Sequence, residues 1–164
     1  MVKGKSQPSP LSSRLFPVAK TGTVLAFDFG EKRIGVAVGD VATGIAHPLT
    51  TIAAAGNRAR FAAIAALIAE WRPDELIVGM PTHADGAEHE LGRLARRFAQ
   101  RLEGRFGLPA GLIDERLTSR AAESKLREQG LRGKKLKAAL DAVAAQEILQ
   151  TYFETAHGKS TARL

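Results

Sequence analysis

The fold of this chain is decided by one stretch, Val24-Leu25-Ala26-Phe27-Asp28-Phe29-Gly30-Glu31-Lys32-Arg33-Ile34-Gly35-Val36-Ala37-Val38. Two apolar runs flank a short polar turn, and this pattern predicts two neighbouring strands joined by a tight loop. Asp28 lies near the end of the first run. Because an unpaired charge is costly to bury, a carboxylate there is expected to have a partner, a metal ion or a shifted pKa. Asp28 is therefore the first candidate for chemistry.

Length, charge and composition limit the possible classes of protein. A chain of 164 residues is long enough for one domain with a substantial core. Its net charge of +7, with His neutral, favours a polyanionic partner, and nucleic acid ahead of an anionic membrane surface. It has no Cys, which excludes disulfides, thiolate metal sites and Cys nucleophiles. No apolar run approaches a membrane span and no signal core is present, so we expect a cytoplasmic protein with no membrane partner.

The chain divides into three predicted parts. Residues 1–21 form a flexible basic tail, in which prolines and serines interrupt any helix and four basic residues meet no acid. Residues 22–157 form one folded domain. Residues 158–164 form a C-terminal tail.

Within the domain, hydrophobic periodicity predicts alternating strands and helices. The predicted strands lie near 23–29, 33–39, 45–52, 75–79 and 110–114. The predicted helices lie near 58–71, 91–102, 118–129 and 135–154. Pro48 cannot donate to a strand ladder, so the third strand should lie at an edge. The fold class is α/β, with a mixed five-stranded sheet flanked by helices, and the sheet combines a three-stranded antiparallel meander with two parallel strands.

Acidic residues stand beside apolar sequence at three places where a solvated charge is not expected. Asp28 is in the first strand, Asp114 and Glu115 end the last strand, and Asp141 heads the inward stripe of the final helix. Each has an ordinary alternative interpretation as a turn residue, an ion pair or a helix N-terminal charge. Converging carboxylates would repel one another without a cation, and oxygen-only ligands suit Mg²⁺ or Mn²⁺.

Four stretches, in order, closely resemble motifs of the YqgF/RuvX family. They are Asp28–Ala37, Ile77–Pro81 with Asp85-Gly86, Asp114–Ser119, and Asp141–Gln150. The resemblance implies an RNase H-like fold over residues 22–157 and a metal-dependent nuclease. The family is described as the nuclease that matures the 5′ end of pre-16S rRNA, and it is similar to Holliday-junction resolvases.

The resemblance also implies a set of site residues. Asp28, Glu115 and Asp141 match the acidic triad, as catalytic residues and ligands of Mg²⁺ or Mn²⁺. Asp114 is a secondary candidate ligand, because strand alternation directs only one of the adjacent pair inward. Apart from the resemblance, charge and position make Lys32, Arg33, Arg116 and Lys135 the basic residues expected to contact substrate phosphates. Gly30 and Gly35 are expected to let the backbone approach a phosphate.

Several alternatives stay open at this point. The expected reaction is two-metal phosphodiester hydrolysis on structured RNA, with four-way DNA junctions as the alternative substrate. A nucleic-acid-binding assembly factor without turnover, or an ATP-binding regulatory domain, would share part of the pattern. Either a monomer or a homodimer fits. The arginine face of the helix near 93–105 is interpreted here as an ordinary exposed surface.

Overall fold

A computed structural model describes residues 22–53, 56–81, 86–115 and 128–158. These residues form five strands and three long helices: β1 (Thr23–Asp28), β2 (Ile34–Asp40), β3 (Ile45–Ile52), α1 (Asn57–Trp71), β4 (Glu75–Pro81), α2 (Gly86–Phe106), β5 (Ala110–Glu115) and α3 (Gly133–Gly158). Residues 118–127 of the helix predicted over 118–129 lie outside the described residues. The predicted tails, residues 1–21 and 158–164, also lie outside them, apart from residue 158. None of the described helices combines the length and apolar character needed to cross a bilayer.

The five strands form one sheet in the order β3-β2-β1-β4-β5. The β1-β2 and β2-β3 pairs are antiparallel, whereas the β1-β4 and β4-β5 pairs are parallel. This arrangement confirms the predicted meander followed by two parallel strands. It also confirms the edge position of β3, which tolerates Pro48 because one side of an edge strand needs no partner strand.

The sheet is covered on both faces, which explains why β1 is apolar from Val24 to Phe27. Leu25 and Phe27 pack into a core cluster with side chains of α1 and α2. Val24 and Ala26 point to the opposite face, where they join a second cluster with side chains of α3. Strand alternation therefore assigns each residue of β1 to one of two layers of helices.

Helix α3 packs closely against β2 because β2 presents glycines to it. A Cβ atom added at Gly39 would lie 2.7 Å from the Phe153 ring and 3.0 Å from the Leu149 side chain. At the other end of the strand, Gly35 meets the backbone of Asp141. Helix α3 thus runs antiparallel to β1, from the end of the sheet that holds Asp28 towards the opposite end.

Candidate active site

Asp28 ends the central strand of the sheet. It pairs with Gly35 of β2 on one side and with Gly79 of β4 on the other. Strand alternation from Val24 and Ala26 puts Asp28 on the face covered by α3. The residues that pair with Asp28 on the two adjacent strands, Gly35 and Gly79, are both glycines. No Cβ atom therefore lies beside Asp28 on either neighbouring strand.

Gly35 brings α3 next to Asp28. A Cβ atom at Gly35 would lie 1.9 Å from the backbone oxygen of Asp141 and 2.3 Å from its carbonyl carbon, so only glycine fits. Because Gly35 is the strand partner of Asp28, the same contact brings Asp141 to the end of β1. Gly35 is therefore required by the close packing of α3, and its expected role in letting the backbone approach a phosphate stays a prediction.

Arg33 forms an ion pair with Asp141. The Nε atom of Arg33 donates a hydrogen bond to Oδ2 of Asp141 at 2.6 Å, between side chains that are 37% and 21% exposed. A charge-assisted bond of this kind fixes the orientation of a carboxylate as well as partly neutralising it. Arg33 therefore links the loop after β1 to helix α3 across the candidate site.

The loop between β1 and β2 is held at its base. The ring of Phe29 lies 5.0 Å from that of Phe98, and the Arg60 guanidinium lies 5.9 Å above the Phe29 ring. A Cβ atom at Gly30 would lie 2.6 Å from the backbone oxygen of Arg33, so the turn itself requires glycine at this position. Lys32, by contrast, is exposed, as a residue that contacts substrate would need to be.

Strand β5 brings the remaining acidic pair to the same end of the sheet. Its residue Ile113 pairs with Gly79 and packs in the α3-side cluster, and Asp114 and Glu115 then pair with Met80 and Pro81. The side chains of Asp114 and Glu115, and the whole of Arg116, lie outside the described part of the chain. Among the side chains that are described, no three acidic or histidine groups form a metal-binding cluster.

Lys135 lies near the start of α3 and is exposed, as are Lys134 and Lys137. It stands six residues before Asp141, which is about 9 Å along the helix axis. The described residues therefore bring Asp28, Arg33 and Asp141 together, with Lys32 and Lys135 exposed on the adjoining loop and helix.

One partly buried titratable group, Glu75, is not among the residues that the sequence singles out. Tyr152 of α3 donates its hydroxyl to both carboxylate oxygens of Glu75, at 2.8 and 2.9 Å. Burial raises the pKa of Glu75 from 4.5 to about 7, and the Tyr152 hydrogen bond opposes that rise. Glu75 pairs with Val24 at the far end of β1, so this carboxyl is outside the candidate site. Its only signal in the sequence is a charge at the start of a buried strand.

The chain matches one family model over residues 22–155, described as RuvX: Holliday junction resolvase. The chain belongs to the RuvX family. It is similar to relatives named "Putative pre-16S rRNA nuclease". The one from Dechloromonas aromatica is 62% identical over 136 residues, which cover 83% of this chain and 93% of that protein. The one from Chromobacterium violaceum is 63% identical over 131 residues, which cover 79% and 96%.

The fold is also similar to that of a solved resolvase. The structure titled "T. thermophilus RuvC in complex with Holliday junction substrate" matches with a TM-score of 0.54 at 15% identity, over 84% of this chain and 96% of that chain. At this level of identity the similarity concerns the fold alone. It confirms the predicted RNase H-like class, a mixed five-stranded sheet with flanking helices.

Proposed function

We propose that this RuvX-family protein is a metal-dependent nuclease that hydrolyses phosphodiester bonds in the maturation of the 5′ end of pre-16S rRNA. One observation carries the chemical part of the proposal. Two carboxylates from distant parts of the sequence, Asp28 and Asp141, are brought to one end of the central strand by the contact at Gly35. The names of the relatives support the choice of substrate.

The donor set fits a hard divalent cation. Carboxylate oxygens are the ligands that Mg²⁺ and Mn²⁺ prefer, and Cys, which would favour softer metals, is absent from the chain. A cationic group already touches Asp141, which is the arrangement expected where neighbouring carboxylates need neutralising. Asp28 and Asp141 would hold the ion together with Glu115.

Strand register supports Glu115 over Asp114 as the third acid. Gly79 of β4 pairs with Asp28 of β1 on one side and with Ile113 of β5 on the other. Ile113 packs on the α3 side of the sheet. Because residues two apart on a strand share a face, we propose Glu115, two positions after Ile113, as the third acid. Asp114 stays the secondary candidate.

In the proposed mechanism, bound divalent ions supply a lowered pKa for the attacking water and charge neutralisation for the leaving oxygen. Asp28, Glu115 and Asp141 act as the carboxylates that hold these ions. Arg33 keeps Asp141 oriented before substrate binds, and its half-exposed guanidinium can then contact a phosphate. Lys32, Arg116 and Lys135 would bind neighbouring phosphates of the strand.

A second substrate follows from the description of the family model. Holliday junction resolution uses the same bond cleavage on four-way DNA, and would require two sites that act on two strands. A binding factor without turnover would keep the basic surface but would not need the acids. One experiment distinguishes the rRNA nuclease, the junction resolvase and the binding factor.

The test compares cleavage of a labelled pre-16S rRNA leader with cleavage of a four-way DNA junction, in Mg²⁺ or Mn²⁺. The enzymes are the wild type, Asp28→Asn and a matched control, Asp40→Asn. Asp40 is exposed at the opposite end of β2, and its Oδ1 atom accepts a hydrogen bond from the backbone N–H of Ala42 at 2.8 Å. An Asn side chain can accept the same bond, so the control changes one charge without changing the fold.

We expect the wild type and Asp40→Asn to cleave the RNA, and Asp28→Asn to lose at least about a thousandfold in rate because the developing charge is no longer neutralised. Binding of the RNA by Asp28→Asn should persist. Symmetric nicking of the junction without RNA cleavage would instead establish a resolvase. Equal cleavage by Asp28→Asn and the wild type would exclude the acidic site.

A further inference from the structure

Arginine is the most frequent residue on the outer face of α2. Between residues 90 and 105 eight positions are exposed, and five of them are Arg. We call these five residues the arginine row: Arg93, Arg96, Arg97, Arg101 and Arg105. The other three exposed positions are Glu90, Gln100 and Gly104. This face lies on the side of the sheet opposite α3, so it is separate from the acidic site.

Only the two ends of the arginine row have partners among the described residues. Arg93 pairs with Glu90 three positions before it, and both side chains are more than half exposed. The guanidinium of Arg105 lies 4.3 Å above the Phe61 ring of α1. For the central residues Arg96, Arg97 and Arg101, the described part of the chain shows no acidic partner.

This distribution is unfavourable for an ordinary solvated helix. Arg93, Arg97, Arg101 and Arg105 follow one another at intervals of four residues, and like charges at that spacing repel. A helix that needed only solubility would interleave acids with these residues. The repulsion is relieved when an anionic ligand covers the face.

The position of the row relates it to the acidic site. Helix α2 connects the parallel strands β4 and β5, so it runs antiparallel to them and begins at the end of the sheet where Asp28 lies. From Arg93 to Arg105 the row extends about 18 Å along the helix axis, directed away from that end. Phosphates of one strand of a DNA duplex are spaced about 3.4 Å along its axis, and on that scale the row is long enough to meet several phosphates of one strand.

We infer that the arginine row binds the phosphodiester backbone of the RNA substrate beyond the strand that is cleaved. The identity of that RNA rests on the proposed function. Arginine suits this role because its planar guanidinium binds phosphate oxygens in pairs, and α2 carries no Lys. The substrate would continue from the acidic end of the sheet along α2, which extends its contact area to the second layer of helices.

The test substitutes the middle of the row. Arg97→Glu inserts a carboxylate between Arg93 and Arg101, four residues from each, so it should strengthen the helix while weakening the anion-binding face. The matched control is Arg72→Glu, which makes the same change of charge at an exposed position after α1, near the opposite end of the sheet. Thermal unfolding of both variants checks that the fold is retained.

Binding of a labelled transcript of the pre-16S rRNA leader is measured by fluorescence anisotropy over a series of salt concentrations, in EDTA so that no cleavage occurs. We expect Arg97→Glu to raise Kd about tenfold and to lower the slope of log K against log salt by about 1, as loss of a phosphate contact does. Arg72→Glu should leave both close to the wild-type values.

Equal Kd and salt slope for Arg97→Glu and Arg72→Glu would overturn the inference, even if the wild type cleaves the RNA. Failure of the proposed function alone can also be recognised. An effect confined to Arg97→Glu, found for a wild type that cleaves no RNA, would support the arginine row as a nucleic-acid surface and contradict the proposed function alone.

Discussion

A single glycine determines where the acidic residues of this protein meet. Gly35, the second residue of β2, pairs with Asp28, and the backbone of Asp141 lies against it. Backbone atoms cannot move aside as a flexible side chain can. The missing side chain at this position therefore sets the distance between β2 and helix α3, and with it the separation of Asp28 from Asp141.

Gly35→Ala is expected to destabilise the protein and to reduce its nuclease activity. The added Cβ would lie 1.9 Å from the Asp141 carbonyl oxygen, so α3 must shift outward. Overpacking of this kind costs about 1–3 kcal/mol in the free energy of unfolding, and the same shift moves one candidate metal ligand. Urea denaturation and cleavage of the rRNA leader measure the two effects.

The control for that substitution is Gly111→Ala in β5. Among the described residues, a Cβ there would meet only the Cδ1 atom of Ile77, at the ordinary contact distance of 3.6 Å. We expect a change in the free energy of unfolding of less than about 0.5 kcal/mol. Similar losses of stability for both variants would mean that α3 does not rest on Gly35.

The sequence predicts the acids of the site better than the residues that arrange them. Asp28 and Asp141 stand out because each is a charge beside apolar neighbours, a signal that local sequence carries. The need for Gly35 depends on a contact between residues more than one hundred positions apart, and no local pattern encodes it. Glu115 and Arg116 stay predictions.

Helix α3 does more than cover one face of the sheet. Its Gln150 accepts a hydrogen bond from the backbone N–H of Ala46 at 3.1 Å and donates one to the carbonyl of Gly44 at 2.8 Å. Gln146 donates to the carbonyl of Ala46 at 3.0 Å. These amides satisfy backbone groups of Ala46 in the edge strand β3 and of Gly44 in the turn before it. Unsatisfied groups on an edge strand would be free to pair with another chain.

Gln150→Ala is expected to lower the free energy of unfolding by about 1–2 kcal/mol, because it removes two hydrogen bonds to the edge of the sheet. Gln100→Ala, at an exposed position of α2, serves as the control and should change stability by less than about 0.5 kcal/mol. Denaturant unfolding of both variants provides the comparison. If the two losses were equal, the amides of α3 would contribute nothing to holding β3.

At the level of helices and strands, the sequence is informative because periodicity is a local property. The five strands, α1, α2 and α3 all occur where apolar spacing predicts them, and Pro48 correctly indicates the edge. The contacts of Gln146 and Gln150 could not be predicted in the same way. They depend on which residues of β3 lie opposite α3, and that register is fixed only when the sheet forms.

The candidate active site and the Glu75–Tyr152 hydrogen bonds lie at opposite ends of the sheet. One end of the sheet holds Asp28, Arg33 and Asp141. The opposite end holds Glu75, the buried carboxyl bonded to Tyr152 near the other end of α3. Because α3 reaches both ends, the protonation of Glu75 affects how firmly the same helix is attached, without contact with the acidic site.

The raised pKa of Glu75 predicts that the free energy of unfolding decreases as the pH rises. Burial raises its pKa in the folded protein to about 7 from an ordinary value of 4.5, so the folded state binds the proton more tightly than the unfolded state does. The contribution of Glu75 to the free energy of unfolding is complete below its ordinary pKa of 4.5 and is lost as the pH rises through its folded-state pKa of about 7. Its size is at most about 3 kcal/mol, and partial exposure of Glu75 reduces it.

The measurement is the free energy of unfolding of the wild type and of Glu75→Gln, by urea at about pH 5 and about pH 8. Gln imitates the protonated carboxyl, so the wild type should lose stability relative to the variant as the pH rises, by about 1–3 kcal/mol. Tyr152→Phe removes the hydroxyl that opposes the rise in the pKa of Glu75, so its loss of stability should extend to higher pH. Parallel pH profiles for all three proteins would show that Glu75 titrates normally, and that the far end of α3 is insensitive to pH.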